Sequence, residues 1–215
     1  DASVKEIVDN YSNNDIDFHK TVADMAGISR LQAKTINLGL FYGMGKAKLQ
    51  AELGLSTKQE AEELFNQYHE RVPFVRDLMN ETSRWASREG EIRTLLGRGC
   101  RFNKWEPAQF GMHTPMTWEE AIKKYGENRI RRAFTYKALN KLIQGSAADM
   151  TKKAMLELYK EGIIAHIQIH DELDISVESD KKAKRIIEIM ETAVDLEVPN
   201  KVDYESGKTW GNIYD

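Results

Sequence analysis

His170, Asp171 and Glu172 stand together in IIAHIQIHDELDISVE, residues 163–178. Two adjacent carboxylates on a rigid turn suit a divalent cation. Apolar residues in this stretch fall on odd numbers: Ile163, Ala165, Ile167, Ile169, then Leu173, Ile175 and Val177. Most even positions are polar. Sixteen residues is long for one strand, so the pattern predicts a hairpin. The apolar faces match only if the chain reverses around Asp171, with Ile169 opposite Leu173, Ile167 opposite Ile175 and Ala165 opposite Val177. A two-residue turn would swap the parity and put Asp174 opposite Ile169. His170, Asp171 and Glu172 are therefore expected at the tip of a half-buried hairpin.

A second group lies far upstream. Arg30, Lys34, Leu38 and Tyr42 recur every four residues. Each step of four drifts about 40° around a helix, so they share one slowly turning stripe about 18 Å long. Two cations near the positive end of a helix dipole suit a polyphosphate, and an aromatic further along suits a flat ring. An amphipathic helix with a basic edge has the same spacing. Gly43-Met44-Gly45-Lys46 lacks the spacing of a phosphate loop and follows a helix where such a loop follows a strand.

Local signals set the elements that must position these groups. Asp15 is a capping candidate for a helix carrying His19. Ser29 is expected to cap a helix to about Tyr42, which Gly43 and Gly45 end. A short helix near 46–53 closes at Gly54. Ser56 or Thr57, with Glu60 near the capping-box position, starts another to about Arg71. Pro73 suits the first turn of a helix through about Arg88. Residues 91–102 read as a short hairpin, and 103–128 as a surface excursion with a little helix near 117–125. Residues 129–160 read as helical with Gly145 as a kink or close-approach point, 180–196 as helix and 201–206 as a final strand.

With 215 residues, 41% of them hydrophobic and 30% charged, the chain suits one large soluble domain or two small ones. No run approaches the ~18–20 apolar residues of a membrane helix, so no membrane partner is expected. DASVKEIVDN lacks the basic and apolar regions of a signal peptide, so a cytoplasmic location is expected. Cys100 is the single cysteine, so no internal disulfide forms. The net charge of −3 does not announce a nucleic-acid binder. Local charge differs. Arg84, Arg88, Arg93, Arg98, Arg101 and Lys104 cluster, followed by Arg129, Arg131, Arg132, Lys137, Lys141, Lys152 and Lys153. Such runs also occur on solvated helix faces.

RLQAKTINLGLFYGMG, with Arg30-x3-Lys34-x7-Tyr42-Gly43, resembles the fingers-helix motif of family A (pol I-type) DNA polymerases. QIHDELDIS at 168–176 resembles the palm motif that holds a catalytic aspartate in that family. Asp17-Phe18-His19, TLLGR at 94–98 and ALNKLIQGSAADM at 138–150 match in order and character. These five matches cover nearly the whole chain.

The resemblance implies an α+β, mostly helical fold: polymerase fingers helices inserted in a palm with a small antiparallel sheet. Residues 1–28 would connect palm to fingers, 29–90 form the fingers, 91–128 a fingers hairpin and surface insertion, and 129–215 the palm with its acidic hairpin. The implied activity is DNA-directed DNA synthesis, a template-directed nucleotidyl transfer assisted by two Mg²⁺ ions. Its partners would be primer-template DNA and dNTPs. Asp171 would be the metal ligand and Glu172 a supporting carboxylate. Lys34 would contact the triphosphate and act as general acid, Arg30 would bind its γ-phosphate end, and His19 would add a phosphate contact. Leu38 would face the sugar of the nucleotide. Tyr42 would stack near the template base, where Gly43 permits close approach. Asn140 and Gln144 would check the minor groove, whose acceptor pattern is nearly the same for every base pair. Gln168 would face the primer terminus and His170 the primer backbone. The basic clusters would hold phosphates.

Some residues depart from the family pattern. Leu38 stands where many relatives carry Phe or Tyr; leucine occurs in some phage members, which suggests a phage origin. Tyr136 stands where an arginine is common. A second catalytic aspartate, in a DYSxxE-like motif, is absent from this sequence, so the two-ion site would be only partly supplied. The expectation is a C-terminal part of a polymerase, whether a fragment, a split-gene subunit or a truncation, inactive without the N-terminal polymerase segment as partner. An incomplete palm sheet with an exposed edge is expected with it. The alternative is a non-catalytic DNA- or dNTP-binding subunit. A single-subunit RNA polymerase is disfavoured by Arg30 and Glu172. An HD-type phosphohydrolase is disfavoured because His19, His69, His113 and His166 follow no ligand pattern.

Overall fold

Ser29 opens the first long helix with a reciprocal capping box. The Gln32 amide N–H donates to Ser29 Oγ at 3.2 Å, and the Ser29 amide N–H donates to Gln32 Oε1 at 3.0 Å. In this computed structural model the described residues are 8, 17, 19–20, 23–24, 28–41, 44–71, 73–109 and 111–212. The chain divides into two compact units, one of Ile16–Gln144 and one of Asp1–Asp15 with Gly145–Asp215.

In the first unit, α1 (Arg30–Phe41), α2 (Lys46–Leu53), α3 (Lys58–Arg71) and α4 (Pro73–Glu89) follow one another. Gly54 ends α2 at φ 63°, and the Leu55 N–H returns to the Gln50 carbonyl at 3.0 Å, a Schellman closure that suits glycine. Thr57, not Ser56, caps α3: its Oγ1 accepts the Glu60 N–H at 3.1 Å, while Glu60 Oε2 accepts the Ser56 N–H at 3.0 Å. Ala33 and Ile36 of α1, Leu49 of α2, Tyr68 of α3 and Val75 of α4 close the core with Ala23 and Met44. Two polar groups are trapped beside it. The Tyr68 hydroxyl and His69 Nδ1 are buried, with no hydrogen-bond partner among the described residues. Burial pushes the Tyr68 hydroxyl up, and burial followed by the Arg76 cation pushes the His69 imidazole down.

The same unit holds two small antiparallel pairs. β1 (Glu91–Arg93) pairs with β2 (Gly99–Arg101) in the short hairpin expected over 91–102, with Ile92 opposite Cys100. Ile92 and Phe102 pack on Ala86 and Ala138. β3 (Trp105–Pro107) pairs with β4 (Ile130–Arg132), and α5 (Trp118–Tyr125) lies between them in sequence, opened by a Thr117–Glu120 capping box. Residues 103–128 are thus anchored at the β3–β4 pair, while most of 108–128 lie at the surface. Glu106 is 4% exposed and ion-paired with Arg131 at 2.9 Å. The Arg132 guanidinium lies 4.6 Å from the Trp105 ring centroid and donates to the carbonyls of Phe102 (3.0 Å) and Ser87 (3.2 Å). The helix expected from 129 starts at Ala138, because β4 claims 130–132 and Phe134 takes a φ of 64° that helix cannot accept.

The long helix α6 (Ala138–Lys160) passes through Gly145, where the units divide. In the second unit β5 (Ile167–Ile169) and β6 (Glu172–Asp174) form a hairpin, followed by α7 (Asp180–Thr192). Leu158, Ile163, Ile186 and Ile189 form the core, with Leu173 and Ile175 packed against it. Ser179 Oγ accepts the Lys182 N–H to cap α7. Arg185 ties α7 to Glu161, beyond the end of α6, and to Glu188. Residues 201–206, expected as a strand, form none. The described residues are mostly helical with three two-stranded antiparallel sheets, in keeping with the α+β expectation.

Candidate functional site

The acidic hairpin turns on two residues. Ile169 pairs with Glu172, Gln168 with Leu173 and Ile167 with Asp174. His170 and Asp171 make the turn, and Glu172 is already the first residue of β6, so the expected three-residue tip is corrected. Apolar parity decides register only where both strands bury the same face. Here Leu173 and Ile175 reach the core, whereas Ile167 is 41% exposed, so no apolar match across the strands is enforced. His170, the first turn residue, takes a φ of 53°, the positive value that tight two-residue hairpin turns demand. Gln168 Nε2 donates to the His170 carbonyl at 2.6 Å and braces the turn. At the hairpin's base the His166 N–H donates to the Asp174 carbonyl at 2.9 Å, and His166 Nε2 lies 3.0 Å from Ser176 Oγ.

Asp171, Glu172 and Asp174 line a cleft of about 970 Å³, bounded also by residues 200–210. Asp171 and Glu172 are exposed at its wall. Among the described residues no three His, Cys, Asp or Glu side chains gather as a metal group. The donors that are present fit a hard cation of the Mg²⁺ kind. Such an ion takes one or two protein carboxylates and completes its shell with water and substrate phosphate.

The α1 stripe belongs to the other unit. Arg30, Lys34 and Leu38 are exposed, and Ala33, Ile36 and Asn37 occupy the buried face. Tyr42 and Gly43 lie outside the described residues. The Arg30 guanidinium is ion-paired with Asp17. That contact, with the backbone N–H of Lys20, holds the Asp17 carboxyl below its ordinary range. His19 Nδ1 lies 2.9 Å from Asn37 Nδ2. Asn37 is 1% exposed and its Oδ1 has no hydrogen-bond partner among the described residues, a burial that costs about 1–3 kcal/mol.

Asn140 and Gln144 sit one turn apart at the start of α6, Asn140 half-buried and Gln144 exposed, both within the first unit. Gln168 and His170 belong to the second unit with Asp171 and Glu172. Several cations read as phosphate contacts have acidic or carbonyl partners within the fold. Arg93 and Arg101 pair with Glu91, Arg131 with Glu106, Lys153 with Glu157, and Arg132 with backbone carbonyls. Sequence reasoning missed the partners Asp17, Asn37 and Glu106. Asn37 could have been found: four residues after the apolar Ala33, it falls on that residue's side of the stripe's own helix.

The model of DNA polymerase family A matches residues 2–212. A DNA-directed DNA polymerase of Pseudomonas phage M6 is 35% identical over 244 aligned residues, which cover 98% of this chain and 33% of that protein. DNA polymerase I of Geobacillus stearothermophilus is 33% identical over 202 residues, covering 90% of this chain and 21% of that protein. A similar solved structure is the POL domain of Pol1 from M. smegmatis in complex with DNA primer-template and dNTP. It matches with a TM-score of 0.74 at 25% identity, over 97% of this chain and 36% of that one. The chain spans a third or less of the length of these curated relatives.

Proposed function

The chain belongs to DNA polymerase family A, and from that premise we propose that it carries the nucleotide-binding and metal-binding parts of a template-directed DNA polymerase. The observation that carries the reading is the exposed Asp171–Glu172 pair at a braced turn on the wall of an acidic cleft. In this reading residues 29–90 form the fingers, 1–28 lead into them, 91–128 hold the fingers hairpin and its insertion, and 129–215 belong to the palm. Primer-template DNA and dNTPs are the partners, as they are bound by the M. smegmatis polymerase domain.

Each side chain then has a task. Asp171 would hold Mg²⁺, with Glu172 in support. When bound, the metal supplies charge neutralisation at the phosphates and a more acidic primer hydroxyl. Lys34 neutralises the triphosphate and delivers a proton toward the departing pyrophosphate. Arg30, exchanging its Asp17 contact for phosphate, takes the γ-phosphate end, and His19 adds a donor. Leu38 would face the nucleotide's sugar, and Tyr42 would stack near the template base, where Gly43 would permit close approach. Asn140 and Gln144 face the minor groove, and Gln168 and His170 the primer end.

Primer extension tests this. The chain is assayed with Mg²⁺ in a polymerase that includes the family's upstream polymerase region. Synthesis that requires Asp171 supports the reading. Synthesis that persists with Asp171→Asn refutes it, and DNA binding without synthesis favours a non-catalytic subunit.

A further inference from the structure

We infer that Asn37 is a positioning residue for His19, fixing the imidazole in the tautomer that presents N–H from Nε2 toward a phosphate oxygen. The inference rests on the triphosphate reading of the α1 stripe. Asn37 Nδ2 has only protons to give, so His19 Nδ1, at 2.9 Å, must accept. A neutral imidazole that accepts at Nδ1 carries its single proton on Nε2. Phosphate oxygens only accept, so the tautomer decides whether His19 attracts or repels them.

Burial points the same way. Asn37 is 1% exposed beside Ile36, and its Oδ1 has no hydrogen-bond partner among the described residues. An apolar side chain would fill that place without an orphaned carbonyl. The amide's one hydrogen bond among the described residues is to His19. A second tether sets the same segment: Asp17 is ion-paired with Arg30, seven residues before Asn37. The two tethers lie roughly 10 Å apart along α1, with Lys34 between them. Arg30, Lys34 and His19 are thereby referred to one helix.

The test is ring ¹⁵N NMR of His19 in the intact chain, with binding of dATP and of inorganic tripolyphosphate. An unprotonated Nδ1 and a protonated Nε2 in the wild type are expected; a protonated Nδ1 overturns the inference without any variant. Asn37→Asp keeps the shape but only accepts, so it should put the proton on Nδ1; compared at a pH where the ¹⁵N spectrum shows a neutral ring, both ligands should weaken roughly tenfold. Asn37→Leu should leave a tautomer mixture and an intermediate loss. Lys34→Ala is the control. If it weakens both ligands while Asn37→Asp does not, the positioning role fails alone. If Lys34→Ala changes neither, the triphosphate reading itself fails.

Discussion

Ile169 stands opposite Glu172, which leaves His170 in the left-handed region at φ 53°. A side chain there costs roughly 1 kcal/mol relative to glycine. His170→Gly should therefore stabilise the chain by about 0.5–1 kcal/mol, read as a higher urea midpoint with unchanged slope. A lower midpoint would show that the imidazole itself holds the turn.

Asp171→Asn keeps the turn's shape and removes the charge that would hold a cation. In a polymerase containing this chain, primer extension should fall by a factor on the order of 10³ or more. Circular dichroism and the denaturation midpoint should not move, because Asp171 is exposed. Equal losses of activity and of fold would assign Asp171 to structure.

His69 gives the stability curve an acid limb. Its folded value is depressed below the ordinary 6.5, by burial first and by Arg76 second. The unfolded chain therefore binds the proton first as pH falls. His69's contribution is complete above about pH 6.5 and is lost as pH drops toward the folded value, by at most about 1.4 kcal/mol per pH unit. His69→Phe, which keeps an aromatic edge against Phe65, should flatten the stability profile between pH 7 and pH 5. An unchanged profile would place the acid sensitivity in other groups.

Arg132 joins three pieces of chain: the end of α4 through Ser87, the hairpin through Phe102, and the ring of Trp105. An ammonium cannot reproduce a planar fork that donates to two carbonyls while stacking on an indole. Arg132→Lys should cost about 1–3 kcal/mol in thermal or urea unfolding, despite its retained charge. A cost near zero would show that the contacts add nothing to stability.

Much of the candidate site was legible because its signals are local. The four-residue spacing from Arg30 placed a helix whose exposed face carries Arg30, Lys34 and Leu38, and α1 has that face. The cap at Ser29, the first-turn Pro73 and the glycine stop at Gly54 worked for the same reason: each depends on backbone groups within a few residues. The register of the acidic hairpin was not legible. Alternation assumed that both strands bury one common face, but Leu173 and Ile175 meet the core of α6 and α7 while Ile167 of β5 is 41% exposed.

By itself, then, the sequence determined the family, the helices, and which residues carry charge and donor atoms, since these follow from residue type and short spacing. Only the tertiary structure decided which partners those residues meet. Asp17 on Arg30, Asn37 on His19 and Glu106 on Arg131 span 13, 18 and 25 residues of sequence. No periodicity encodes such separations. Packing brings the groups together, and in the buried cases the penalty on an uncompensated polar group then fixes who bonds to whom.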